Sequence, residues 1–102
     1  MPDKSQEREE RIKSVFAAAT KKAETKLAGR AVELDYQSSS DGAVIVARRD
    51  ARELARLHFS IGDDHSIYLG AGMVELGELY DSDADDAVGN AINNEIRRRL
   101  DS

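Results

Sequence analysis

Asp81, Asp83 and Asp85 alternate in the spacing with which a calcium-binding loop begins, setting carboxylate oxygens on every second residue. Such a loop also needs glycine at its sixth position and a bidentate acid at its twelfth. Here those positions hold Asp86 and Ile92, so the acids read as the start of a helix and no metal is assigned. Gly70-Ala71-Gly72-Met73-Val74-Glu75 opens like a dinucleotide-binding loop, but Glu75 stands where the third glycine would let a pyrophosphate approach. No nucleotide or other cofactor is expected. His58 and His65 are the only histidines; His65 beside Asp63 and Asp64 reads as a solvated turn. Glu33, Asp35, Glu75 and Glu78 could do acid or base work, yet no spacing pairs them. With no cysteine there is no thiolate nucleophile, thiolate metal site or disulfide framework. The expectation is a protein that is not an enzyme, with no catalytic residues.

Charge is the feature that remains. The formal net charge of −5 over 102 residues is unevenly placed: residues 61–102 hold ten acidic and three basic side chains. Glu75, Glu78 and Asp81 form an acidic approach, while Arg48, Arg49, Arg52 and Arg56 cluster in mid-chain and Arg97, Arg98 and Arg99 near the end. Four clustered arginines could neutralise phosphates, which makes a nucleic-acid-associated regulatory protein the alternative reading. Against it stand the net acidity, the lack of tryptophan, and ready ion pairs with Glu33, Asp35, Asp50 and Glu53.

The elements that must position these groups follow from periodicity. Ile12, Val15, Phe16, Ala19, Ala23 and Leu27 lie on one helical stripe over residues 5–28, capped by Asp3 or Ser5 and stopped by Gly29 in a left-handed conformation; residues 1–4 are expected to fray. The period then becomes two. Val32, Leu34 and Tyr36 predict a strand, Ser38–Gly42 a hairpin turn, and residues 43–49 an interior strand apolar on both faces. A turn at 50–52, a third strand through Ile61, a turn at 62–66 and a fourth strand with Ile67 and Leu69 complete an antiparallel meander. Residues 70–81 fit helix and strand equally. Ala84, Val88, Ala91, Ile92, Ile96 and Leu100 predict a last helix over 83–100, capped by Asp81 or Ser82, with acids first and arginines last as the helix dipole favours.

The sequence thus predicts one α+β domain over 1–102: an N-terminal helix, a four-stranded antiparallel meander sheet and a C-terminal helix, both helices on one face. The buried face takes Val32, Leu34, Leu57, Phe59, Ile67 and Leu69. The other would carry Ile45, Leu54, Tyr68, Ala43 and Ala47 beside Arg56 and His58, and so needs cover from a second copy, a partner or residues 70–81. The charged N-terminal residues do not resemble a signal peptide, and no apolar run is long enough to span a bilayer, so a cytoplasmic location is expected. The functional expectation is a small protein-binding module, such as an inhibitor, an immunity-type protein or a chaperone-like adaptor of bacterial or phage kind. Ile45, Leu54 and Tyr68 would anchor a protein partner or a second copy, and Glu75, Glu78 and Asp81 would steer it.

Overall fold

Helical and alternating periodicities become the elements they imply, in the order helix, meander sheet, helix. The computed structural model describes residues 4–70 and 74–101, those at 4 and 5 by backbone alone. Helix α1 (Lys4–Lys26) leads through a 3-10 turn (Ala28–Arg30) into β1 (Val32–Ser38), β2 (Gly42–Arg49), β3 (Arg52–Ile61), β4 (Ser66–Leu69) and β5 (Val74–Glu78), and the chain ends in α2 (Ala84–Leu100). The five strands form one antiparallel sheet in the order β1-β2-β3-β4-β5. The expected count of four strands was one short, because residues 74–78 add an edge strand. They therefore do not fold over the sheet as cover.

β5 hides its alternation. Its register against β4 jumps between Ile67↔Gly77 and Tyr68↔Glu75, leaving Leu76 as the extra residue of a bulge, and Gly77 takes a φ of 133° that an L side chain would resist. A two-residue turn, Asp50-Ala51, joins β2 to β3 with φ of 55° and 65°, the left-handed pair that lets a hairpin keep its twist. Gly42 starts β2 against the backbone of Phe59 and Ser60, where a Cβ would collide with the Phe59 carbonyl.

All six apolar residues of the α1 stripe are buried, and Ala84, Val88, Ile92 and Ile96 of α2 join them in one core with Val32, Leu34, Ala43, Ile45, Ala47, Ala55, Leu57, Phe59 and Ile67. Both helices therefore cover the same sheet face. Phe16 and Phe59 meet edge to face across this layer, their ring centroids 5.1 Å apart. The helices also pair along their lengths: Lys22 Nζ donates to Asp85 Oδ2 at 2.7 Å and Asp86 Oδ1 at 2.6 Å, and Lys26 Nζ donates to Asn90 Oδ1 at 2.8 Å. Since 22 meets 85 and 26 meets 90, the two helices run in the same direction.

Helix ends depart from expectation. α1 already includes Ser5, which therefore is not its cap, and Asp3 lies outside the described residues along with the rest of 1–3. The left-handed residue after α1 is Ala31, with φ 58° and ψ 35°, while Gly29 sits inside the 3-10 turn. The residue before α2 is Asp83, which makes no side-chain capping bond, so neither Asp81 nor Ser82 caps that helix. Asp81 instead turns back, its Oδ2 accepting the Glu78 N–H at 3.3 Å.

Candidate binding surface

Alternation decides which side chains the sheet offers on the face without helices. Tyr36, Ile45 and Leu57 stand in one row and Leu34, Ala47 and Ala55 in the next, all on the helix side. Their neighbours in sequence therefore point the other way: Asp35, Val46 and Arg56 in one row, Gln37, Val44 and His58 in another, then Ser60, Tyr68 and Glu75. Val44, Val46 and Tyr68 are half-buried in the middle of this face, and the charged groups around them are exposed.

This corrects part of the expected anchor. Ile45 is wholly buried in the core, and Ala43 and Ala47 lie beside it on the helix side. Leu54 is the extra residue of a bulge, where Ala47 pairs with Ala55 but Arg48 with Glu53, and it packs half-buried against the core. Tyr68 alone of the three anchors reaches the helix-free face, its ring lying against Gly62. Val44 and Val46 take the place of Ile45. Nothing in the sequence could choose between the two sets, because every outward and inward position of β2 from 43 to 47 is apolar.

Of the expected steering acids, Glu75 stands beside Tyr68, and Glu78 is exposed at the end of the β5 edge. Asp81 is exposed too, but it closes its own turn, and Arg11 of α1 grips that turn by donating to the carbonyls of Leu79 at 3.0 Å and Asp81 at 2.9 Å. Arg8 likewise donates to the Ile61 carbonyl at 3.0 Å. These two arginines pin the sheet's far end to α1. They went unnoticed in the sequence because nothing there tells which loop a helix will meet. The turn expected around His65 forms with Asp63 and Asp64 exposed, but His65 itself is half-buried: its Nδ1 is covered and its ring meets Tyr80 edge on with centroids 5.0 Å apart.

The arginine clusters are brought to one end of the molecule. Arg56 and His58 of β3 and Glu95 and Arg99 of α2 line a single groove of about 570 Å³ with Leu57, Leu69, Gly70 and Val74. Arg30 reaches Asp101 at 3.3 Å, and Arg30 closely precedes Val32, the partner of Arg49. Several of these arginines are matched by acids: Arg48 by Asp35, Arg56 by Glu53 at 2.7 Å and Arg98 by Glu95 at 2.9 Å. Arg49 and Arg52 stand directly opposite each other at the hairpin tip, and among the described residues neither has an ion pair.

The pKa shifts belong to structural bonds away from this groove. The Asp85 carboxyl is held below its ordinary value by its bond to Lys22, whose ammonium is raised chiefly by Asp85 and then Asp86. Asp64 is lowered because its carboxylate accepts the Ser66 N–H at 3.1 Å. The acids that suggested calcium are scattered: Asp85 faces Lys22 and Asp81 faces Glu78. Among the described residues no group of three or more metal-ligating side chains converges. Ala71, Gly72 and Met73 of the glycine motif lie outside the described residues. Among the described residues no helix is long and apolar enough to cross a membrane. No family model, curated protein or solved structure matches this chain, so the reading of these surfaces stands on their own geometry.

Proposed function

We propose that this chain is a small non-enzymatic protein-binding module, acting as an inhibitor, immunity-type protein or adaptor by covering part of a target's surface. The observation that carries the reading is the helix-free sheet face: Val44, Val46 and Tyr68 form an apolar centre, ringed by Asp35 paired with Arg48, by Arg56 and by Glu75. An apolar middle with a charged rim is the anatomy of a protein interface. The rim sets approach and partner choice, with Glu75 and Glu78 as the acidic side of that steering. The cysteine-free sequence agrees with a cytoplasmic setting.

A test uses wild type, Val46→Asp, Tyr68→Glu and, as a control on an exposed α1 position, Lys13→Glu as baits in native extract, with mass spectrometry of what each retains. Sedimentation of the same proteins reports self-association. The expected result is a protein or a dimer held by wild type and Lys13→Glu but lost from the two face variants while their melting temperatures stay within a few degrees. Equal retention and equal oligomeric state across all four would refute the reading. Gathering of the arginines at one pole favours a second reading, nucleic-acid association through Arg48, Arg49, Arg52 and Arg56, although Arg48 and Arg56 are already partnered by acids.

A further inference from the structure

Alternation splits the mid-chain arginines between the two faces of the sheet. Arg48 and Arg56 point to the helix-free side, where Asp35 and Glu53 meet them and Glu33 stands opposite Arg48. Arg49 pairs with Val32, a core residue, and Arg52 pairs with Arg49, so both rise on the helix side of the β2–β3 hairpin tip. Cross-strand neighbours stand about 5 Å apart at Cβ, close enough for two guanidiniums to oppose each other or to share one anion. Both residues are exposed, and among the described residues no acid forms an ion pair with either. Gly70, bonded to His58, is roughly 20 Å from Arg52 along β3.

The other charges at this end are accounted for. Asp101 holds Arg30 at 3.3 Å and Glu95 holds Arg98 at 2.9 Å, while Arg97, Arg98 and Arg99 answer the negative end of the α2 dipole. Asp50, exposed in the turn itself, makes no ion pair among the described residues. Asp41, Asp63, Asp64, Glu78 and Asp81 gather at the other end of β3, around Ile61 and the turn that follows it, roughly 30 Å from Arg52. At physiological ionic strength the screening length is about 8 Å, so the net charge of −5 does not govern what the hairpin tip attracts.

We propose that Arg49 and Arg52 form a phosphate clamp that grips the backbone of a nucleic-acid duplex at the hairpin tip. A guanidinium donates two parallel hydrogen bonds to a phosphate, and the two-residue turn holds both guanidiniums on one side of the hairpin. None of residues 47–54 is aromatic, so the tip has no ring on which an unpaired base could stack, which favours a duplex over a single strand. Asp50 and Ala51 offer nothing to bury among acyl chains, which disfavours a lipid surface. The inference rests on the nucleic-acid reading, not on the protein-binding one, and narrows it from four arginines to two.

The probe is a fluorescein-labelled DNA duplex of mixed sequence, titrated with the full chain by anisotropy over a range of salt. Arg49→Ala and Arg52→Ala are compared with Arg48→Ala and Arg56→Ala, which change the charge equally on the other face. For wild type, log K should fall against log salt with a slope of about −2, since each phosphate contact contributes about −0.9. Arg49→Ala and Arg52→Ala should each take about one from that slope and weaken low-salt binding about tenfold, with melting temperatures unchanged or raised by the relieved repulsion, while the two controls keep the wild-type slope. Loss of slope in the controls instead, or equally in all four variants, would overturn this pair as the site and leave the nucleic-acid reading standing. Absence of binding by wild type at the lowest salt overturns both. Vesicles containing phosphatidylserine that retain wild type but not Arg49→Ala, with no binding to the duplex, would overturn the proposal in favour of a membrane surface.

Discussion

Exchanging the roles of two small residues after α1 gives the sharpest test of this backbone. Ala31 has φ 58° and ψ 35° and is exposed, so its methyl group strains the left-handed conformation without contributing packing. A left-handed L residue costs about 1–2 kcal/mol, and glycine removes that strain while losing about 0.4–1 kcal/mol to the freer unfolded chain. Ala31→Gly should therefore stabilise by about 0.5–1 kcal/mol. Gly29 is the converse case: it is not in the positive-φ region, and a Cβ there would meet nothing within 4 Å. Gly29→Ala should gain about 0.4–1 kcal/mol from the unfolded state alone. Together they amount to about 1.5 kcal/mol, a rise in melting temperature of roughly 6–12 °C for a domain of this size. The assay is thermal unfolding by circular dichroism of both single variants and the double, with Ala31→Val as the opposite control, expected to melt below wild type. If Gly29→Ala lowers the melting temperature and Ala31→Gly does not raise it, the left-handed residue is Gly29, and the geometry of the α1 to β1 connection is wrong.

Two further outcomes follow from other parts of the fold. Gly42→Ala would drive a methyl group into the Phe59 carbonyl, backbone against backbone, and should lower the urea midpoint by the equivalent of about 1–3 kcal/mol; an unchanged midpoint would show that β2 and β3 are not this close. Asp85 has a folded pKa below its ordinary value of 3.8, so its bond to Lys22 contributes fully above that value and is lost as pH falls through the lowered one; the raised pKa of Lys22 places the matching loss above 10.5. Asp85→Asn should thus shallow the fall of melting temperature on acidification below pH 3.8, and an acid limb identical to wild type would contradict the pairing.

What could be read from the sequence was set by local periodicity and turn chemistry. The stripe from Ile12 to Leu27 has only one helical face to bury, and Asp50 with Ala51 separates two alternating runs, so the helix and the hairpin follow without tertiary knowledge. β5 did not, because the bulge at Leu76 and the φ of Gly77 break its period of two. The inward face of β2 was undecidable, since Val44 and Val46 outside and Ile45 inside are equally apolar; the choice is made by the helices, which close over Ala43 and Ala47. Ala31 was overlooked because a glycine two residues earlier offered the cheaper left-handed stop. The candidate site suffered most, for Arg56 and Arg99 are far apart in sequence and share a groove only because α2 runs beside α1 toward the β2–β3 hairpin.

That direction gives the charge pattern a meaning that counting could not. In isolation, Arg97, Arg98 and Arg99 are favourable at a helix C-terminus, each by about 0.3–1 kcal/mol, and Asp85 and Asp86 are favourable at its start. Arg48 and Arg56 have acids within reach. Arg49 and Arg52 have neither excuse: they face each other across two strands, an arrangement that like charges make unfavourable. The helices then carry the dipole-favoured arginines to the same pole as this unfavourable pair, where Asp101, Glu53 and Glu95 pair with Arg30, Arg56 and Arg98. Among the described residues, the facing pair Arg49 and Arg52 is therefore the part of the arginine cluster that helix capping and ion pairing leave unexplained, and it is the part on which the nucleic-acid reading rests.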